Sequence, residues 1–279
     1  MFLLSNELPA ELRIRLLVFV AVFAALAIWE VVAPRRERTV GRAARWPANF
    51  GVTVVNSVIV RIVIPLSAVA AALGAERSHL GLLNQFAPPY PIAIAASVIV
   101  MDLAIYLQHV TFHAVPVLWR VHRMHHADLD LDVTSGARFH PIEIVISMLF
   151  KLAVVAALGP PAVAVLIFEL LLNATSTFNH ANVRMPDGAD RVLRLVVVTP
   201  DMHRVHHSIV AGETNSNFGF NLPWWDRWFG TYRPEPAAGQ LGMTIGIDQF
   251  REPGELALAR MLTQPFREGA GRYPLSAGN

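Results

Sequence analysis

The sequence predicts an all-α fold, a polytopic membrane bundle of about four to five spans that includes a helical hairpin. Three observations lead there. The chain of 279 residues is 54% hydrophobic and only 16% charged, more apolar surface than one soluble core can hide. Its apolar residues fall into long runs that end at proline, glycine or arginine. Between and after those runs stand closely spaced histidines.

The runs justify the spans in order. The segment from roughly Leu12 to Ala33 is long enough to cross a hydrocarbon core and stops at Pro34. Leu16 to Ile28 continues into "WEVVAPRRER" without a small-residue cleavage site, so the segment reads as a retained anchor. The next run, Pro47 to Leu73, is interrupted only by Arg61 and Pro65 and closes at Gly74. Arg61 is expected to face protein or to snorkel. A third run, Pro91 to Gln108, leads straight into "HVTFH"; a fourth, Ile142 to Phe178, carries "GPP" at 159–161, which breaks it into a hairpin of two spans.

The loop "PRRERTVGRAARW" holds Arg35, Arg36, Arg38, Arg42 and Arg45, and the positive-inside rule puts it in the cytoplasm, with the N-terminus outside. Counting crossings from there brings the histidines from His109 to His207 to the cytoplasmic side, with His79 on the opposite side. "RVLRLVVV" at 191–198 is too short to span and fits an interfacial or buried segment. From about 233 the chain is rich in proline and glycine, then weakly helical around "GELALARMLT". The expected division is an anchor and basic loop over 1–46, a catalytic unit over 47–250 and a tail over 251–279.

Composition also excludes function classes. A formal net charge of +2, with arginines beside apolar runs, offers no basic face for nucleic acid. With no cysteine, disulfides, thiolate zinc sites, iron–sulfur clusters and thiol nucleophiles are ruled out. Any metal must be held by nitrogen and oxygen.

Ten of the eleven histidines lie between 109 and 207, and eight of those ten form "HVTFH" (His109, His113), "HRMHH" (His122, His125, His126) and "HRVHH" (His203, His206, His207). On a helix, positions i, i+3 and i+4 share one side, so each motif is expected to present its imidazoles to a common point. That spacing suits a metal such as iron, zinc, copper or nickel. Eight to ten imidazoles exceed the needs of one ion, which makes two the natural count. His140 and His180, each alone in its segment, could ligate or act as structural helix-end groups. Ligating imidazoles give their second N–H to an acceptor. Asp102 shares the helix face of His109 and His113, and Glu169, Asn173 and His180 follow one stripe, so both acids are candidate supports, with helix packing as the plainer alternative. Asp128, Glu143 and Asp201 flank other histidines and are weaker candidates.

The order "HVTFH", "HRMHH", "RFHPIE", "FNHANVRMP" and "TPDMHRVHHS", followed by "NSNFGFNLPWWDRWFGTY", resembles the fatty acid hydroxylase/sterol desaturase superfamily of membrane di-iron oxygenases, over about residues 47–250. The resemblance implies a membrane helix bundle with a cytosolic helical cap that holds a histidine-rich dimetal site. His109, His113, His122, His125, His126, His180, His203, His206 and His207 match the family's ligands position by position. His140 matches only the sterol-desaturase branch, and Arg184 stands where some hydroxylases carry a further histidine. Trp225 and Asp226 are expected to pack and orient.

The function expected from the resemblance is O2-dependent hydroxylation or desaturation of a C–H bond in a fatty acyl or sterol-like lipid at two iron ions. No GxGxxG follows a strand pattern and no cytochrome domain is appended, so a separate electron donor, of ferredoxin or cytochrome type, is expected at the cytoplasmic face of the membrane. The alternatives are a membrane metal-binding or transport protein and a catalytically silent lipid-binding relative. Histidines piled at one membrane face, rather than spread through the spans, favour the enzyme.

Overall fold

A computed structural model describes residues 7–277 and is all-helical, with no strand among the described residues. The N-terminus expected outside falls on residues 1–6, which lie outside the described residues. In chain order the helices are α1 (Glu7–Val32), α2 (Arg42–Val63), α3 (Ala68–Arg77), the short α4 (Leu82–Phe86), α5 (Tyr90–Ala114), α6 (Pro116–His126), α7 (Pro141–Leu158) and α8 (Ala162–His180). Shorter elements follow: α9 (Asp187–Leu193), α10 (Pro200–His206), α11 (Ala211–Thr214), α12 (Trp224–Trp228), α13 (Gly239–Gly242) and α14 (Leu258–Thr263).

Among the described residues five segments are long and apolar enough to cross a membrane: Ala10–Val32, Arg42–Phe86, Tyr90–Ala114, Pro141–Leu158 and Ala162–His180. The protein is a multi-pass membrane protein. Proline and glycine punctuate the spans as their chemistry requires. Pro65 has no N–H to give to the turn before it, and the second span breaks over residues 64–67, where Ser67 accepts from Ala70 N and restarts the helix as α3. This differs from the single helix expected to end at Gly74, which instead lies within α3. Arg61 sits in the last turn of α2 and is exposed. The hairpin turns at Gly159, whose φ of 64° closes α7 in the left-handed region. Gly81 packs so close to that turn that a Cβ on it would lie 2.3 Å from Gly159 N, so a side chain there would push the two loops apart.

The apolar core of the spans, around Ala72, Met101, Val155, Val165 and Phe168, joins α3, α5, α7 and α8. Within it Glu169 accepts from Lys151 at 2.7 Å and from Arg15 at 2.5 Å, tying α8 to α7 and α1. Glu169 therefore pins the bundle, eleven residues and about 16 Å along the helix from His180.

At the other end of the bundle the basic loop is part of the cap. Arg45, fully buried, donates to Asp128 at 2.7 and 2.8 Å and to Asp132 at 2.6 Å. Burial pulls the Asp128 carboxyl upward, but Arg45 and Arg138 outweigh it and hold it down to about 2. Removing one partner of such a buried pair costs about 3–5 kcal/mol, because the other charge is left uncompensated. Arg35 pairs with Asp201 at 2.9 Å, and Glu30 accepts from Val133 N and Asn182 N at 2.8 Å each, joining the end of α1 to the loops beside α6 and α8. The segment after residue 250 closes over α6: Arg123 donates to the carbonyls of Gln264, Arg267 and Gly269, and Trp119 donates to Ala270 O at 3.0 Å. Arg123 and Met124, the residues between the imidazoles of "HRMHH" that are expected to face lipid or packing partners, are fully buried against the cap.

Candidate metal centre

Nine histidines converge in two buried groups, His109, His113, His122, His126 and His206 in one and His125, His180, His203 and His207 in the other. α5 continues unbroken through "HVTFH", so His109 and His113 stand one turn apart at its end. Val115 is extended before Pro116, and the chain turns there into α6, which brings His122 and His126 over that end. α10 starts on Thr199, whose side chain accepts from Met202 N, and carries the last motif, with His207 as its C-cap.

Each HxxHH motif is shared between the two groups, which corrects the expectation of one common point per motif. Positions i and i+4 lie about 40° apart around a helix, whereas i+3 and i+4 lie about 100° apart. His122 and His126 therefore join the first group while His125 turns to the second; His203 and His207 join the second while His206 turns to the first.

The nitrogens fit a pair of cations. His109 Nδ1 donates to Phe218 O at 2.7 Å and His122 Nδ1 donates to the Glu143 carboxylate at 2.7 Å, which leaves each Nε2 with a lone pair. Those two Nε2 atoms are 3.1 Å apart, and His126 Nε2 is 3.2 Å from that of His122. In the second group His180 Nδ1 donates to Ser176 O at 2.7 Å, and its Nε2 meets those of His125, His203 and His207 at 3.1, 3.1 and 3.2 Å. Between His109 and His122, where both rings give their Nδ1 proton away, the facing Nε2 lone pairs repel unless a cation lies between them. An ion about 2.0–2.1 Å from each imidazole nitrogen would hold neighbouring ligands about 3.0–3.4 Å apart. Burial, first, and then neighbouring imidazoles push His125, His126, His203, His206 and His207 well below the usual histidine range, which keeps them neutral and able to ligate.

Support for the rings comes mostly from the loop "NSNFGF". His113 Nδ1 donates to Asn215 Oδ1 at 3.0 Å and His206 Nδ1 to Ser216 O at 2.8 Å, beside the Phe218 carbonyl already described. Asp226 holds that loop, accepting from Phe218 N, Gly219 N and Thr231 Oγ1 at 2.7–2.9 Å. Burial pushes its carboxyl up to about 6 against these donors. Two aromatic rings reach both groups: Phe139 lies 4.3 Å from His125 and 6.2 Å from His122, and Phe220 lies 5.0 Å from His109 and 6.3 Å from His203.

Four of the five acids singled out in the sequence do not receive bonds from the imidazoles. Asp102 accepts from Trp225 Nε1 at 2.7 Å and Leu222 N at 3.2 Å, Asp128 binds Arg45, Asp201 binds Arg35 and Arg204, and Glu169 binds Arg15 and Lys151. Sequence spacing gives a helix face but not which neighbour packs on it, and in each case an arginine, a lysine or an indole got there first. Glu143, in the first turn of α7, is the carboxylate that does support a ring. His140 lies outside both groups: it is the N-cap of α7, its Nδ1 accepting from Ile142 N at 3.2 Å while Nε2 donates to Leu262 O at 3.2 Å. His79 is exposed beyond the end of α3.

Comparison with known proteins agrees with this geometry. The family described as fatty acid hydroxylase matches residues 94–231, the stretch that contains every histidine of both groups. The chain belongs to the fatty acid hydroxylase/sterol desaturase superfamily. It is 33% identical to the ornithine lipid hydroxylase OlsE of Rhizobium tropici over 184 residues, 64% of this chain and 51% of that one. It is 31% identical to the alkylglycerol monooxygenase of Xenopus tropicalis over 57% of this chain and 34% of that one. The human alkylglycerol monooxygenase is 30% identical over 54% of this chain and 33% of its own length. The match thus spans about half or less of each relative. No solved structure matches the chain.

Proposed function

We propose that the protein is a membrane-bound non-haem di-iron oxygenase that hydroxylates a C–H bond of a lipid. The observation that carries this is the pair of histidine groups, nine buried imidazoles gathered at the end of the spans. Iron, when bound by these two groups, supplies O2 activation, with the balance R–H + O2 + two electrons + two protons giving R–OH + H2O. Hydroxylation is preferred to desaturation because the named relatives are hydroxylases and monooxygenases.

The chain's own residues supply the setting. The cap excludes water from both groups, which limits loss of the oxidant to solvent. An open apolar groove of about 340 Å³, lined by Val22, Ala25, Leu26, Ala174, Thr175 and Phe178, lies between α1 and α8 on the face of the spans. Phe139 and Phe220, each against both groups, are the rings that would bear on the reacting carbon. Electrons come from a separate donor of ferredoxin or cytochrome type. The arginines of the loop after α1 are tied into the same cap as the metal groups, which supports a cytoplasmic active site by the positive-inside rule.

The test compares the lipids of cells that express the intact chain or His203→Ala/His206→Ala, grown under isotopically labelled O2. A lipid that gains one labelled oxygen only with the intact chain is expected. Labelled product from both chains, or from neither when iron and a reductant are present, would overturn the reading.

A further inference from the structure

Outside the spans and the metal groups, one surface is out of character for a cytosolic cap. Val192 in α9 and Leu195 and Val196 just after it are 67%, 55% and 50% exposed, and Trp228 and Phe229 at the end of α12 are 70% and 56% exposed. The two segments form one patch, because Trp224 Nε1 donates to Leu195 O at 2.8 Å and Arg227 donates to Arg194 O at 3.2 Å. A monomeric soluble surface rarely gathers so many large apolar groups in one place.

The position of α12 says what covers them. Trp225 donates to Asp102, and Tyr106 stacks on Phe229 with ring centres 5.5 Å apart and bonds Thr231 at 2.8 Å. Asp102 stands seven residues before His109 in α5, about 10 Å further toward the bilayer centre. With its 25 residues α5 is about 37 Å long against a hydrocarbon core of about 30 Å, so only its last turn or so, the turn of His109 and His113, need project beyond the core. α12 is therefore folded back along the outer part of the span, which places its rings at and just below the headgroup boundary, the region that suits amphipathic rings. Arg191 and Arg227 are exposed on the same two helices.

We infer that α9 and α12 form a monotopic lobe seated in the leaflet nearest the metal centre, with Val192, Leu195, Val196, Trp228 and Phe229 among the upper acyl carbons and Arg191 and Arg227 against anionic headgroups. The lobe belongs to the same stretch of chain that holds the ligand-supporting loop, since Asp226 of α12 grips Phe218 N and Gly219 N. Seating it fixes the bilayer edge beside that loop.

The chain has no cysteine, so single thiols report cleanly. Val196→Cys, Phe229→Cys and, as a control on an exposed cap loop, Glu252→Cys are labelled with a nitroxide in the full chain and placed in lipid discs, one set neutral and one containing phosphatidylglycerol. At 196 and 229 collision with O2 is expected to exceed collision with a water-soluble nickel chelate several-fold, with the reverse at 252. The shielding should deepen in the anionic discs and lose that increment in Arg191→Gln/Arg227→Gln. Labels at 196 and 229 as open to the chelate as at 252 overturn the proposal and leave the patch to a protein partner. Equal depth in both lipids overturns its headgroup part. Val192→Cys repeats the measurement if either labelled variant fails to fold, and none of these readouts depends on lipid oxidation.

Discussion

The two histidine groups are built from the same residue type yet held differently. In the first, four of five rings are steered by a second hydrogen bond, His109 by Phe218 O, His113 by Asn215, His122 by Glu143 and His206 by Ser216 O. In the second, among the described residues, only His180 is steered, by Ser176 O, while Nδ1 of His125, His203 and His207 has no protein partner. The first group also takes a negative charge from Glu143. A ring fixed by an outer partner is oriented before the metal arrives and is more basic, so the first group should hold its ion more tightly. The lesson is that the identity of nine imidazoles leaves the balance between the two candidate sites undecided; the acceptors behind the rings decide it.

The largest expected effect comes from the hub of the weaker group. His180 Nε2 is the atom on which His125, His203 and His207 converge, so His180→Ala should abolish the second site and all oxygenated lipid, while the first site keeps its ion. Metal analysis of the purified protein should then read about half the intact content. Loss of both ions would show that the groups do not hold metal independently and would break the comparison.

Acid should separate the groups without a mutation. His125, His126, His203, His206 and His207 are held below their ordinary value of 6.5 by burial in the folded site, so the unfolded chain binds protons that the native site does not. Stability and metal retention therefore rise with pH through that range and fall as pH drops below about 6.5. Metal release on acidification should come in two steps, the second group first. A single step for both ions would mean that the acceptors behind the rings do not matter.

Glu143 allows a finer cut. Glu143→Ala should weaken metal binding at the first site by about 10–100-fold, and Glu143→Gln, which still accepts from His122, should recover much of it. Titration with iron read by optical or Mössbauer spectra, rather than turnover alone, separates this from simple misfolding. Equal losses in both variants would argue that the charge, not the acceptor, is what counts.

The sequence made the architecture legible because spans and ligands are both local patterns. Long apolar runs broken by Pro34 and Gly159–Pro161, and imidazoles at helical spacing, need no knowledge of distant contacts. What it left unread was set by the meeting of segments far apart in the chain. Asp102 looked like support for His109 because they share a helix face, but Trp225, 123 residues later, takes its oxygen. The carbonyls of Ser216 and Phe218 carry no side-chain signal at all, and nothing in a count of arginines shows that Arg45 would be buried between Asp128 and Asp132. The division of each HxxHH motif between the two groups follows from helical angles alone, because i+3 and i+4 lie about 100° apart around a helix.

His140 gives the smallest predicted effect and the clearest limit on the ligand set. Its ring is turned back on the start of α7, where Nδ1 takes the free Ile142 N–H and Nε2 reaches Leu262 O in the closing segment. Pro141 at the first helical position fixes that turn, and with φ −69° and ψ 143° the residue is extended, as a capping residue should be. If the role is capping, His140→Ala costs about 0.5–2 kcal/mol of stability and leaves metal content unchanged, and His140→Asn, a better cap, restores most of it. If instead the ring swings in to ligate, iron content or the iron spectrum changes in both variants. Thermal unfolding and metal analysis on the same two samples decide between the cap and a tenth ligand.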